Sequence, residues 1–398
     1  VSVNDHWRRR VVATVAPAAA ALVLMAAVLP EGPSASEVPR VAGASETRCL
    51  PTGGLDTVAE LDAFAREVRG NPEFQGGDVG ASVELQDGRQ LFVFGDTLRG
   101  ASFDGQGFVH NSMLVFSPAC AQAVLPADHG AIVPDRRDGV GYWPMSVAKV
   151  EHPGYDLVGV STQRVRDTGD PGDGGSGVFA FEQLGPAVAI FVVPRGGTPQ
   201  LIDQQDLGPD LVDTTRPVWG AATAVVGDQV YLYGTARPDT TGVFGFSLQV
   251  ARVDLDDLLD PTAWRYWDGE RWQRDADRVA ELVPAVGGVS QTLSVFEQDG
   301  HWYAVSKRDE VLGSDLTIWT APAPTGPFTP SPALAQIPSD AATGTLRYLP
   351  LAHPDLLPRP GTVVISYSQN DTDVGDVLAD PRLYRPRFLR VRLPDPTD

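Results

Sequence analysis

Asp78 and Asp96 carry the strongest chemical signal in the sequence. Asp78 opens the apolar run Asp78–Leu85, and Asp96 closes the run Gln90–Thr97. Asp87-Gly88 lies between them, a strong hairpin signal when flanked by alternating apolar residues. The two aspartates therefore sit on adjoining strands at one end of a hairpin. Two neighbouring carboxylates are what glycoside bond cleavage needs: one protonates the leaving oxygen, the other attacks or activates water. Crowding drives their proton affinities apart, leaving one acid protonated and one ionised. Aspartates in Gly-rich loops also cap turns, so spacing alone leaves both roles open.

A second group supplies amides, rings and an imidazole at similar places. Trp143, Trp219, Gln291, Tyr348 and His353 lie near strand starts, while Asn111 precedes a strand and Asn370 follows one. Amides bond sugar hydroxyls, and aromatic faces stack on the apolar faces of sugar rings. These seven residues are the candidate substrate contacts. His353 could equally make a structural hydrogen bond. Trp264, Trp267 and Trp272 could form a sugar platform but are expected to pack between repeats. The loop with Asp167, Asp170 and Asp173 lacks EF-hand spacing and reads as a solvated loop. No Cys/His cluster suggests zinc. Neither a phosphate loop nor a nucleophilic serine elbow is present, so no cofactor or metal is implied.

Positioning these residues together requires a fold in which distant strand ends converge. A linker and a short helical stretch at Val58–Val68 precede a recurring unit of successive β-runs. The units open near Asp78, Tyr142, Val218, Gly288 and Leu346. In the second unit, Gly177–Glu182 and Ala187–Val193 read as separate outer strands. Five units of roughly 50 to 70 residues suit four-stranded blades. The 41 glycines and 34 prolines favour short strands and turns over long helices. The expected fold is all-β, a five-bladed β-propeller whose innermost strands line one channel. A pair of β-sandwiches is the rival and would give no such convergence.

The N-terminus reads differently. Arg8, Arg9 and Arg10 precede an apolar run from Val11 to Leu29, the pattern of a signal peptide or a retained anchor helix. Residues 1–44 are thus expected to be a targeting segment with linker, and residues 45–398 a single propeller domain. The protein is expected outside the cytoplasm, secreted or tethered to the membrane through residues 11–29. A net charge of −20 repels phosphate backbones and excludes nucleic acid as a natural partner. The two cysteines, Cys49 and Cys120, flank the first unit. In an exported chain that placement favours one disulfide over two thiols.

Several phrases resemble a known family. They are Gly77-Asp78-Val79-Gly80, Phe94-Gly95-Asp96-Thr97, Asn111-Ser112, Trp319–Phe328, Ser366–Asn370 and Tyr384–Phe388. Together they resemble a bacterial five-bladed propeller family first catalogued as a domain of unknown function, some of whose members are endo-D-arabinanases. The resemblance spans roughly residues 70–394 and implies that Asp78 and Asp96 are catalytic. Phe-Gly-Asp-Thr and Thr-Gly-Pro-Phe also echo the wider set of five-bladed arabinanases and fructosidases, which use a third carboxylate on a later blade. Here the fourth unit opens with Ser290-Gln291 where an acid is expected, and Glu297 and Glu310 read as less well placed. The resemblance implies a glycoside hydrolase-like propeller acting on arabinan or a related furanose-rich cell-envelope polysaccharide, and the chain is expected to be a monomer. The alternatives are a non-catalytic glycan-binding propeller and an envelope scaffold.

Overall fold

The computed structural model describes residues 49–67, 71–168 and 181–395. The targeting segment expected at residues 1–44 lies outside them, as does most of the Asp-rich loop after Asp167. Five antiparallel sheets follow one another along the chain, and each is a blade. The opening strands of blades I, II, III, IV and V are Gly76–Glu84, Val140–His152, Val218–Val226, Ser294–Gln298 and Thr345–His353. Each packs beside the next, and the fifth returns to the first, closing the ring. This is the all-β five-bladed propeller expected from the repeats, in a fold that protects its strand edges by radial repetition.

The burial pattern explains the stacking, because the middle strands carry continuous runs of buried residues and are covered on both faces. In Gln90–Leu98 and Phe181–Pro194, buried Val, Phe, Leu and Ile residues project between neighbouring blades. One continuous cluster runs from Val79 and Leu91 of blade I to Val160 and Phe191 of blade II and Leu351 of blade V. Burying such side chains contributes about 1.5–3 kcal/mol each. Closure between blades V and I is also polar: Ser368 Oγ accepts from the Val79 amide at 2.9 Å.

Blade I carries two additions. Leu50–Pro51 pairs with Cys120–Ala123 as its outermost strand, and a Cys49–Cys120 disulfide joins them with Cα atoms 5.4 Å apart. The helix Val58–Glu67 packs on the last strand, Arg387–Arg392. Phe388 N donates to Asp62 Oδ1 at 2.8 Å.

Two elements differ from the sequence expectation. In blade II the runs around 181 and 187–193 form one strand, Phe181–Pro194, because a register shift opposite Arg164 and a positive φ at Gly185 carry the strand through. A fourth strand follows at Gln200–Asp206. In blade IV the first strand begins at Ser294, not at Gly288. Val289 instead bridges to Phe246 of blade III, which leaves Ser290 and Gln291 as an irregular entrance to the channel.

Candidate active site

The opening strands of blades I, II, III and V share one irregularity. Register shifts occur between Gly77 and Ala81, Pro144 and Ser146, Trp219 and Ala222, and Tyr348 and Leu351. A bulge bends the strand and re-aims the side chains beside it. Val79 has a φ of 66° and Leu349 a φ of 46°, a left-handed backbone that costs a β-branched or bulky residue energy. The strained residues immediately follow Asp78 and Tyr348, whose side chains turn into the channel.

The result is a cavity of about 480 Å³ at the mouth of the propeller, lined by Asp78, Asp96, Trp143, Gln291, Glu310 and Tyr348 among others. Asp78 comes from the first strand of blade I and Asp96 from the second. Asp78 sits against Gly95, where any Cβ would overlap its Oδ1. The Phe-Gly-Asp phrase therefore has a packing reason: only glycine leaves room for the neighbouring carboxylate.

The two acids have different partners. Tyr348 donates its hydroxyl to Asp78 Oδ2 at 2.8 Å, and the Tyr384 hydroxyl also bonds the Asp78 carboxylate. Asn370 Nδ2 reaches the Tyr348 hydroxyl at 3.4 Å. Asp96 Oδ1 accepts from the indole Trp143 Nε1 at 2.6 Å. Both acids are half-buried and open onto the cavity. Burial raises the Asp78 proton affinity, and the tyrosine hydroxyls partly offset it, leaving the pKa at about 6. Burial and the Asp78 charge together push Asp96 to about 8. Crowding keeps the coupled pair from ionising fully together, so near neutral pH it holds about one proton between the two carboxylates.

Glu310 corrects the expectation for blade IV. It follows the second strand, His301–Lys307, and lines the same cavity as both aspartates. Its Oε2 accepts from the Gln291 amide at 3.0 Å. Burial raises its proton affinity, with the Ser290 hydroxyl, the Gln291 amide and Lys307 opposing. Asp309 and Glu310 both have left-handed φ values, 56° and 54°. The turn is tied down by the Gly287 amide on Asp309 Oδ1 and by the Lys307 ammonium on the Val311 carbonyl. Glu297 instead lies on the first strand of that blade and caps the Asp299-Gly300 turn.

Glutamines complete the wall. Gln183 Nε2 donates to Gln291 Oε1 at 2.9 Å, and Gln291 bonds onward to Gln163. Gln163 is buried, and its Nε2 has no partner among the described residues. An unsatisfied buried donor costs about 1–3 kcal/mol.

The sequence matches the family described as Domain of unknown function (DUF5005) over residues 60–393. The chain belongs to the DUF5005 family. Among solved structures, a protein from Bacteroides ovatus described as a hydrolase has a TM-score of 0.61 at 17% identity, covering 90% of this chain and 97% of that one. That likeness shows a shared fold. The GH43_1 enzyme from Xanthomonas citri has a TM-score of 0.43 at 18% identity, covering 85% and 95% of the two chains. No curated protein matches the sequence.

Three expected substrate contacts of this DUF5005 chain lie elsewhere. Asn111 is fully buried, and its amide clamps the Val133 backbone and the Tyr142 carbonyl, joining blade I to blade II. Trp219 packs against Tyr266 with ring centroids 5.2 Å apart, inside blade III. His353 bridges Ser82 Oγ at 2.6 Å and Ser366 Oγ at 2.7 Å, and burial lowers its pKa to about 3. It is a neutral strut between blades V and I. Trp264 is buried with Nε1 on the Leu258 carbonyl, and Trp267 meets Trp272 edge-on. Those tryptophans pack the outer part of blade III. Trp143, Gln291, Tyr348 and Asn370 do reach the cavity.

Strand starts alone missed Glu310, Tyr384, Gln163 and Arg237, which also line it. A common signal would have found Glu310 and Arg237. Second strands run outward from the turn and end at the mouth, and there lie Asp96, Glu310 and Asn370, with Arg237 just past its strand end. A separate cavity of about 320 Å³ between blades II and III is walled mainly by Val, Leu and Ile and contains none of these acids.

Proposed function

We propose that this DUF5005 protein is an exported glycoside hydrolase that cleaves a furanose-rich polysaccharide such as arabinan. The observation that carries the reading is the Asp78/Asp96 pair, two carboxylates from adjoining strands that line one cavity, Asp78 bonded by Tyr348 and Asp96 by Trp143. Asp96 keeps its proton near neutral pH and is the general acid that protonates the glycosidic oxygen. Asp78, held as a carboxylate by Tyr348 and Tyr384, is the nucleophile or the base that activates water. Glu310 supplies a third carboxylate across the cavity, able to bond sugar hydroxyls. Trp143 and the glutamine chain suit a hydroxyl-rich ring with apolar faces. The basic–apolar start, Arg8 to Leu29, supports a site of action outside the cytoplasm.

The test is product release from purified arabinogalactan by the chain and by Asp78→Asn and Asp96→Asn variants of verified fold. Oligosaccharides from the parent, with loss of at least about a thousandfold in each variant, is the expected result. Binding without release would move the protein to the glycan-binding class. A folded protein that neither binds nor cleaves furanans would leave a scaffold.

A further inference from the structure

The joints between neighbouring blades are not filled alike. Buried side chains of blades I and II share one cluster, those of III and IV another, and those of IV and V a third. Met145 of blade II packs on blade III near the mouth. Farther down the same joint, Leu157, Val188 and Ile190 on one wall and Val230 and Leu232 on the other fall into separate clusters. The cavity of about 320 Å³ lies between those walls. It follows alternate positions of the strand Tyr155–Asp167, from Tyr155 to Ser161, roughly 20 Å of chain. A slot of that length suits a linear occupant better than a compact ring. One end lies at the Pro153-Gly154 turn, beside His152 and Tyr155. The other end of the same hairpin carries Trp143 and Gln163 at the central cavity, so the slot lies toward the opposite face of the propeller.

Gly159 keeps the slot open. It pairs with Ala148 and Ile190 in the middle of the blade and is not left-handed. An added Cβ would meet Ile190 Cδ1 at 3.8 Å and the Ala148 carbonyl at 4.0 Å. Neither backbone conformation nor crowding requires glycine there. Glycine inside a strand weakens it, and one often marks a close approach by a ligand or another backbone.

The lining selects the occupant. Ala148, Val150, Leu157, Ile190, Val225 and Leu232 are aliphatic. The hydroxyls of Ser161 and Thr223 bond each other at 3.1 Å, and Ser146 Oγ donates to Thr223 Oγ1 at 2.9 Å. A sugar would press its hydroxyls against Val, Leu and Ile without partners, whereas an alkyl chain gains from each methylene removed from water. A cavity of about 150 Å³ takes a benzene ring, so this one holds roughly twelve carbons. Lys149 supplies a cation for a head group. Its ammonium lies 2.7 Å from Glu151, a carboxylate 61% exposed. Such surface pairs are worth little, so an incoming carboxylate can share the ammonium. The exposed Asp256 also lines the slot.

We propose that the slot between blades II and III binds a saturated fatty acid of roughly twelve carbons, its chain along Gly159 and its carboxylate at Lys149. The site is separate from Asp78 and Asp96 and does not depend on the hydrolase reading.

The experiment titrates the full chain with hexanoate, octanoate, decanoate, dodecanoate and tetradecanoate by calorimetry at low salt, each below its micelle concentration. Affinity should rise about fourfold per methylene and level off near roughly twelve carbons. Gly159→Leu fills the slot from blade II and Val225→Phe from blade III, and each should weaken dodecanoate binding at least about tenfold. Lys149→Met should weaken dodecanoate at least about threefold and leave dodecanol binding unchanged. Asp78→Asn should bind dodecanoate as the parent does. Circular dichroism checks every fold, and the length series on the parent stands even where a filling variant unfolds. No binding by any acid, or affinity that ignores chain length, overturns the site. Tight binding retained by a folded filling variant, or lost in Asp78→Asn, places the chain elsewhere and overturns it too. An unchanged dodecanoate affinity in Lys149→Met refutes the carboxylate contact.

Discussion

Replacing Asp96 with Asn should stabilise the protein at neutral pH while abolishing its chemistry. A carboxyl that binds its proton more tightly in the folded than in the unfolded chain makes folding less favourable as pH rises between the two values. For Asp96 that window runs from about 4, the unfolded value, to about 8 in the native site. Below the window the carboxyl is neutral in both states and costs nothing. At pH 7, about three units into the window, the ceiling is about 4 kcal/mol. Asp96 faces a water-accessible cavity and shares charge with Asp78, which brings the expectation to about 1–2 kcal/mol. Asn keeps an acceptor for the Trp143 indole, so the hydrogen bond is preserved. With unfolding entropy near 2.1 cal/mol/K per residue, that gain corresponds to a Tm about 1–2.5 °C higher for a chain of this size. Scanning calorimetry at pH 7 and pH 4 measures it. A gain at pH 7 that vanishes at pH 4 fits the site as described. An equal effect at both values, or a loss at pH 7, would refute a strained acid at this position.

Two further outcomes follow from the same geometry. Tyr348→Phe removes a hydroxyl that stabilises ionised Asp78. The acidic limb of kcat/KM, expected near 6 from Asp78, should therefore move to higher pH by about one unit, while the alkaline limb set by Asp96 moves less; a pH–rate profile on arabinan oligosaccharides checks it, and an unmoved acidic limb contradicts the assignment. Gly95→Ala places a methyl group where Asp78 Oδ1 sits, so activity should fall at least about a hundredfold through misplacement of the carboxylate; kinetics and circular dichroism together separate this from unfolding, and a fully active, folded Gly95→Ala protein would show that the carboxylate does not need that position.

The sequence by itself determined the repeat architecture and its principal acids. Alternating apolar runs and Asp-Gly turns specify strands and hairpins locally, and five similar units can bury their faces only by stacking in a ring. The Asp87-Gly88 hairpin also set Asp78 beside Asp96, because strands joined by a tight turn have a fixed register. Tertiary structure decided everything that depends on where a side chain points after the strand is bent. Bulges after Asp78 and Tyr348 turned those residues into the channel, whereas Trp219, on an equivalent strand, folded back against Tyr266. Local pattern cannot distinguish these outcomes, since the one-residue shift that flips a side chain arises from packing between blades. Asn111 and His353 were drawn into inter-blade hydrogen bonds for the same reason: buried polar groups take whatever partner closure of the ring brings near. Glu310 enters the site on two strained residues of an irregular turn. No propensity encodes that conformation, because the contacts that impose it come from Gly287, Gly288 and Lys307, brought together only when blade IV is complete.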